Sequence, residues 1–348
     1  AVYSASGVIA MKPGPAASYD TVLGEAVNYG VVANELTLSG HMETNFATGS
    51  LHGNADIQAS RNSGGGAGYT YVGSYDGSNF KMTLNGNAGS LKIYTTEAAM
   101  RNFGFNMTHL YSGDSLDKLE FPSGVIVDYT TYDEATIKSK VSSLVSAVAL
   151  QSATLMSNGE TYGYDYKDVK DEWNPVIDIA KMGTDSGTYY INFAEGEFPV
   201  TNYTIKIKSG QNVVLNIPDS SVSFGQFKLV VDGKEYTTQA SASEEIVCES
   251  VIFNCPNATS AKTSGSTTGT FIVPNASFSN DSVAAGFLVA NVITKIGGQE
   301  WHSISKGIPV VNPTSFELTA VKNVDGAAPS ADENGKFTFT LYSVADDG

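Results

Sequence analysis

The sequence carries little charge: 16% of its 348 residues are charged, and the net charge is −16. It therefore lacks the basic stripe that nucleic acid requires and the positive charge that binds an anionic membrane surface. It also has no run of about 18 apolar residues, so no membrane span is predicted. Gly, Ser, Thr and Asn take the place of the missing charges, a composition typical of all-β extracellular proteins.

Motifs of catalysis are missing as well. The sequence contains neither GxSxG nor HExxH, so we expect no enzyme activity and no cofactor. The four histidines are scattered along the chain: His41, His52, His109 and His302. One acidic cluster lacks the spacing of a calcium loop, which favours a solvated loop over a metal site. Its members are Asp165, Asp168, Asp171 and Glu172.

Cysteine is almost absent, since only Cys248 and Cys255 occur. Two cysteines are too few for a disulfide framework. Their odd offset would place them on opposite faces of one straight strand, so a disulfide would need an intervening turn or bulge. An oxidising compartment allows such a bridge, and two buried thiols are the alternative.

A short phrase recurs in the second half of the chain. The segments FNCPNAT, FIVPNAS and FLVANV begin at Phe253, Phe271 and Phe287, 16 to 18 residues apart. This period suits one coil of a β-solenoid, in which each coil stacks on the next. The repeat therefore predicts an aromatic stack of Phe253, Phe271 and Phe287. It also predicts a ladder, with steps of about 4.8 Å, of Asn257, Asn275 and Asn291.

One segment has the periodicity of a helix, from Glu134 to about residue 157. Asp133 is a suitable N-cap, and Asn158-Gly159 is a plausible stop. The apolar positions form one stripe, which indicates a helix that covers a core. They are Ile137, Val141, Leu144, Val148 and Leu155.

The predicted fold class is all-β: a β-solenoid (β-helix) with one long flanking α-helix, plus the beginning of a C-terminal β-sandwich. Pro313 precedes a change to two alternating strands around a polar loop. We therefore predict a first domain over residues 1–312 and the first strands of a second over 313–348.

The segments LGEAVNYGVVANELTLSGHMETNFATG and GGQEWH, together with the repeated phrase, resemble the choice-of-anchor A domain of bacterial surface proteins. The resemblance covers roughly residues 20 to 305 and departs from the family pattern around Gly64 to Gly66 and at Cys255. It implies a secreted or wall-attached Gram-positive protein, with a β-solenoid-like domain often at the distal end of a stalk. More distantly, the layout resembles that of bacterial ice-binding proteins.

The tail FELTAVKNVDGAAPSADENGKFTFTLY resembles the start of a pilin-type isopeptide-linkage domain. This resemblance implies that Lys322 is a cross-linking lysine whose asparagine partner follows residue 348. It also implies an extracellular, wall-anchored protein with its anchor in a further C-terminal region.

Tyrosine-rich segments are the candidate ligand-binding surface, because tyrosine offers contact area and a polar handle at low entropic cost. The alternative is that these rings pack beneath their own loops. The candidates are Tyr69, Tyr71, Tyr75, Phe80, Tyr162, Tyr164 and Tyr166.

Three functions follow. The favoured one is a non-enzymatic adhesin that presents a binding face to a glycan or extracellular protein. The alternative is a structural stalk or tip subunit that assembles with other subunits of a fibre or layer. Binding to ice or a polysaccharide surface is disfavoured, because a threonine rank is needed in every repeat and KTSGSTTGT supplies one threonine-rich turn.

Overall fold

A computed structural model describes residues 2–3, 9–58, 68–77, 80–83, 91–103, 125–238, 245–297 and 300–302. The helices are α1 Tyr19–Leu23, α2 Glu97–Arg101, α3 Glu134–Tyr162, α4 Tyr166–Val169, α5 Ile179–Met182 and α6 Glu245–Ser250, with a 3-10 helix at Gly24–Asn28. The first strands are β1 Val2–Tyr3, β2 Ile9–Ala10, β3 Val31–Leu38, β4 His41–Glu43, β5 Phe46–Gly53, β6 Ala55–Gln58, β7 Gly68–Tyr75, β8 Phe80–Thr83, β9 Leu91–Tyr94, β10 Val125–Asp128, β11 Tyr164–Asp165 and β12 Val176–Asp178. The others are β13 Gly187–Asn192, β14 Thr204–Ile207, β15 Gln211–Asn216, β16 Ser221–Phe224, β17 Lys228–Val231, β18 Lys234–Thr237, β19 Val251–Asn254, β20 Ser260–Thr263, β21 Thr267–Asn280, β22 Ala284–Ile296 and β23 Glu300–His302. Within these ranges, no helix combines the length and apolar character that crossing a membrane requires.

Most strands join one large sheet whose described pairs are parallel. Its main run of neighbours is β10-β9-β7-β5-β3-β22-β21-β19-β15-β13-β11. A second run, β8-β6-β4-β23, joins the start of β22, and β16-β20 joins the second half of β21. Strands β12, β14, β17 and β18 form a separate four-stranded sheet.

The prediction of an all-β β-solenoid is wrong: the chain is mostly β, with a large parallel sheet and helices packed on it. The repeated phrase does place β19, β21 and β22 side by side. However, β3 from the N-terminal part lies next to β22, so the sheet does not grow in chain order. A local repeat specifies only neighbouring pairs, whereas this long-range pair joins residues that share no period. The predicted β-sandwich over 313–348 lies outside the described residues.

Helix α3 begins as the sequence indicates and ends later. The side chain of Asp133 caps it by accepting a hydrogen bond from the Thr136 N–H at 2.7 Å. The helix continues past Asn158-Gly159 to Tyr162. Gly159 therefore lies inside the helix. Its lack of a side chain serves packing instead, because the helix backbone meets the sheet at this residue. A Cβ there would collide with the side-chain amides of Asn216 and Asn192.

Helix α3 crosses the strands of the main run. Near its start, Lys138 lies against Gly49 of β5 and Gly73 of β7, and near its end Gly159 lies against β13 and β15. From Lys138 to Gly159 the helix rises about 32 Å at about 1.5 Å per residue. The seven steps from β7 to β13 span about 34 Å at about 4.8 Å per strand. The helix is therefore long enough to cover this whole width.

A buried asparagine ladder that the sequence reasoning missed attaches α3 to the sheet. The Asn216 Nδ2 donates to Asn192 Oδ1 at 3.1 Å, and Asn254 Nδ2 donates to Asn216 Oδ1 at 2.8 Å. Each amide also donates to a helix carbonyl, as Asn192 does to Gly159 at 2.9 Å. The other two acceptors are the carbonyls of Leu155 and Ser152, both at 3.0 Å. One helical turn of about 5.4 Å nearly matches one strand spacing of about 4.8 Å, so successive turns meet successive strands.

Candidate functional site

The long strands change environment halfway along their length. The first halves of β3, β21 and β22 lie under α3, where Val32, Ile272 and Val289 join one apolar cluster with the helix. Small residues occupy the corresponding bends of β5 and β7. A Cβ at Gly49 would lie 2.8 Å from the Asn34 carbonyl oxygen, and one at Gly73 would collide with the Gly49 carbonyl. Beyond these bends, the strands leave the helix and one side of the sheet is open.

This open side is the hydroxyl face, formed by outward side chains on β16, β20, β21, β22, β3, β5 and β7. Its positions alternate with buried ones, as the burial patterns of these strands show. Its members are Ser221, Ser223, Ser260, Lys262, Ser277, Ser279, Val292, Lys295, Glu35, Thr37, Ser50, His52 and Ser74. Most of these side chains are short, and most carry a hydroxyl group.

The parallel register aligns the hydroxyl face into two rows. Ser221 is paired with Ser260 and Ser260 with Ser277, so three serines stand in line across three strands. At the other end, Ser50 is paired with Ser74, and Ser74 Oγ donates to Ser50 Oγ at 3.2 Å. Six strand steps give the face a length of about 29 Å, and its two rows lie about 7 Å apart. The face is therefore an array of mostly small polar groups, interrupted near its centre by Val292, Glu35 and Lys295.

The layer beneath the hydroxyl face is rigid and apolar. Leu36, Phe278 and Ile293 alternate with the outward positions and are fully buried. Two charged side chains of the face have partners beside it. His52 Nδ1 lies 2.9 Å from Asp76 Oδ2, and Lys295 Nζ donates to Asp281 Oδ1 at 2.5 Å. Close packing below fixes the spacing of the hydroxyl groups above.

The asparagines of the predicted ladder lie at the bends beside this face, and all three are exposed: Asn257, Asn275 and Asn291. Asn275 Nδ2 donates to the Pro256 carbonyl at 2.9 Å, across one strand step. Asn291 Oδ1 accepts from Asn34 Nδ2 at 2.9 Å. Asn275 therefore links neighbouring strands through a backbone carbonyl. Asn291 does so through Asn34, which lies outside the repeat.

The three phenylalanines of the predicted stack lie on two sides of the sheet. Phe253 and Phe271 are paired in register, and their rings stack with centroids 5.0 Å apart and planes 5° apart. Phe287 is paired with Thr270, one position away from Phe271. A one-residue offset moves a side chain to the opposite face. Phe287 accordingly packs on the helix side, with its ring 5.4 Å from that of Tyr19.

The first tyrosine group forms part of an aromatic cluster at one edge of the sheet. Tyr69 is 40% exposed, whereas Tyr71 and Tyr75 are buried. The rings of Tyr71 and Tyr94 stack at 4.9 Å, and Tyr69 lies 6.0 Å from Tyr94. Phe80 begins β8, and its side chain lies outside the described residues.

The second tyrosine group lies near the opposite edge. Tyr162 is 53% exposed, Tyr164 accepts a hydrogen bond from the Lys12 N–H at 2.9 Å, and Tyr166 is buried. Tyr164 belongs to β11, eight strand steps from β7 in the order of pairing, which is about 38 Å. The structure therefore does not bring the two predicted groups together.

Both cysteines are free and buried. Cys248 belongs to the apolar cluster on the helix side, and Cys255 belongs to the cluster on the other side of the sheet. Burial raises the pKa of each thiol far above its ordinary value. Neither thiol is therefore poised to react.

The acidic cluster is built into a local turn. Asp171 Oδ1 accepts from the N–H groups of Trp173 and Asn174, both at 3.0 Å. These hydrogen bonds hold the pKa of Asp171 below its ordinary value. Lys322 lies outside the described residues, so its predicted cross-link stays a prediction.

Comparison with known proteins gives one finding. None of the curated proteins compared with the chain matches it. A family model described as "Putative Ice-binding-like adhesive domain" matches residues 22–303, which include the hydroxyl face and α3. The comparisons support the adhesive part of the sequence-based interpretation, and they identify neither the choice-of-anchor A domain nor the pilin isopeptide domain. The chain belongs to the ice-binding-like adhesive domain family.

Proposed function

We propose that this chain is a non-enzymatic adhesive domain that acts outside the cell and binds an extended glycan through the hydroxyl face. The observation that supports this proposal most strongly is the register of the face, in which six of the seven strands, all except β22, contribute a serine or threonine hydroxyl group. A hydroxyl group both donates and accepts hydrogen bonds, as do the hydroxyl groups of a sugar. A row with a regular spacing suits a polymer whose groups also repeat.

The energetics of the face also suit such a ligand. Serine side chains lose little conformational freedom on binding, and a face held by a buried layer is already ordered. Many weak contacts along about 29 Å then add up without a deep pocket. The family description is consistent with this mode of binding, since it names an adhesive domain.

Ice is the second candidate, because the family description names ice-binding-like domains. Regular rows of small hydroxyl groups are also what an ordered water surface would contact. However, Glu35, Lys262 and Lys295 are exposed within the hydroxyl face. Charged side chains hold their own water strongly, which favours a glycan over a neutral crystal surface.

The test uses the purified chain and three probes: a glycan array, insoluble cellulose and chitin, and an ice-recrystallisation assay. Ser260→Tyr and Ser277→Tyr each place a bulky ring on the row of serines of the hydroxyl face, at an exposed position outside its buried layer. Ser146→Tyr places the same ring on the exposed side of α3 and is the matched control. We expect binding to a glycan or to an insoluble polysaccharide that both face variants lose and the control retains.

Two other results would decide against the glycan. Inhibition of ice recrystallisation that only the face variants lose would assign the hydroxyl face to ice. Binding that survives both face variants but is lost in Tyr69→Ala would move the ligand site to the aromatic cluster of the first tyrosine group.

A further inference from the structure

Strands β4 and β23 place two histidines and two glutamates side by side. His41 is paired with Glu300, Met42 with Trp301, and Glu43 with His302. Met42 and Trp301 point into the core and are fully buried. Because side chains alternate along a strand, the remaining four residues share the other side of the sheet. Each imidazole therefore has a carboxylate beside it on the neighbouring strand.

The distances within this group are short. His302 Nδ1 lies 2.7 Å from Glu43 Oε2, and His302 Nε2 lies 2.8 Å from Glu300 Oε1. The side chain of His302 is 1% exposed, and that of Glu43 is 12% exposed. One ligand atom from each of these three residues lies within 4.8 Å of the others, and among the described residues they form the group suited to a metal ion.

The charge of this trio indicates what it binds. With His302 fully protonated, two carboxylates and one imidazolium leave a net charge of −1 in a largely buried place. Buried charge is costly unless it is balanced. A divalent cation in place of the Nε2 proton balances both carboxylates and leaves the trio neutral. The Nε2 lone pair then binds the metal, and the displaced proton goes to solvent.

We propose that His302 and Glu300 bind a zinc ion, with Glu43 as the positioning residue. Imidazole and carboxylate ligands together suit zinc, whereas calcium and magnesium prefer oxygen ligands alone. The hydrogen bond from Nδ1–H to Glu43 orients the ring, as carboxylates do behind many metal-bound histidines. Zinc bonds of about 2.0–2.2 Å require Nε2 and the Glu300 oxygen to move apart by roughly half an ångström. His41 has its Cα in register with that of Glu300 and is a further candidate ligand.

A bound zinc would join distant parts of the chain. Glu43 and His302 are 259 positions apart in sequence, and β23 lies between the start of β22 and β4 of the N-terminal part. A ligand that binds only the folded state stabilises it in proportion to the logarithm of its concentration. Bound zinc would therefore stabilise the pairing of β4 with β23.

The test is isothermal titration calorimetry of the metal-free chain with zinc chloride, combined with thermal unfolding and a cobalt(II) titration followed by visible absorption. We expect one zinc per chain, a melting temperature that rises by several degrees with zinc, and d–d bands on cobalt binding. Glu300→Gln retains the size of the side chain at a partly exposed position and should abolish all three signals. Glu43→Gln should weaken zinc binding about 10- to 100-fold.

The control is His52→Gln, which removes the imidazole of an exposed histidine–carboxylate pair with Asp76. We expect this variant to bind zinc like the unmodified chain. The proposal is wrong if the unmodified chain shows no heat of zinc binding and no change in melting temperature in tenfold zinc excess. The three residues are then a structural group of ion pairs. Zinc binding that persists undiminished in Glu300→Gln would also overturn it.

Discussion

The asparagine ladder should be the most sensitive point of contact between α3 and the sheet, and Asn254→Ala tests it. Asn254 is fully buried, donates to Asn216 Oδ1 and to the Ser152 carbonyl, and accepts from Ser152 Oγ at 2.5 Å. Alanine removes all three hydrogen bonds and leaves two buried side-chain partners, Asn216 Oδ1 and Ser152 Oγ, without this contact. At about 1–3 kcal/mol for each of these two buried polar groups, the loss should be about 2–6 kcal/mol.

The assay is urea denaturation of the unmodified chain and each variant, with the m-value checked for equality. Asn291→Ala is the matched control, because Asn291 is exposed and its described side-chain hydrogen bond is to Asn34. We expect it to cost about 0.5–1.5 kcal/mol. A loss below about 1 kcal/mol for Asn254→Ala would refute the reasoning, because it would mean that the buried amides find other partners at no cost.

Three further predictions concern stability and reactivity. Gly159→Ala should destabilise the chain, because the new Cβ would collide with the side chain of Asn216. In an exposed helix the same change stabilises by about 1 kcal/mol. Thermal unfolding measures the sign of the effect, and a higher melting temperature would contradict the close approach of Gly159 to the sheet. Cys248 and Cys255 should not react with Ellman's reagent in the native state and should both react in denaturant, since burial raises the pKa of each thiol; rapid labelling of the native protein would show that one of them is accessible. For Asp128, burial raises the pKa, but hydrogen bonds from Thr131 and Thr130 and the charge of Lys92 outweigh it and hold the pKa below 3.8. The stabilisation by the Asp128 carboxylate is therefore fully present above pH 3.8 and is lost as the pH falls through the lowered pKa. The difference in unfolding free energy between the unmodified chain and Asp128→Asn should accordingly shrink in acid. A difference that does not change with pH would contradict this account.

Local features were predictable from the sequence. The N-cap of α3 and its apolar stripe depend on residues three and four positions apart, and the structure shows the Asp133 cap and a buried Ile137, Val141 and Leu144 where the pattern places them. The pairing of β19, β21 and β22 follows from the repeated phrase, because similar segments pair with similar neighbours.

Features that depend on long-range register were not predictable. The position of β3 beside β22 leaves no periodic signal, and this pair is why the predicted solenoid is wrong. Phe287 shows the same limit on a smaller scale, since one residue of offset moved it to the helix side. Gly159 was interpreted as a helix stop because the sequence does not reveal the asparagines that it contacts.

The hydroxyl face was overlooked although part of its signal is visible in the repeat. Ser277 is the last residue of the second phrase, and its partner in the sheet, Ser260, is the residue directly after the first phrase. Threonine at every repeat and exposed tyrosine are the expected signals of such a surface, whereas the hydroxyl face is made mostly of serine. Its other strands, β3, β5 and β7, contribute Thr37, Ser50 and Ser74 from a part of the chain where the phrase does not recur.

The most direct test of the account is the binding of Ser277→Tyr, compared with Ser146→Tyr, to the glycan or insoluble polysaccharide that the unmodified chain binds. We predict that Ser277→Tyr loses at least tenfold in affinity with no change in melting temperature, and that Ser146→Tyr binds as the unmodified chain does. Equal binding by the two variants would show that the hydroxyl face is not the adhesive surface.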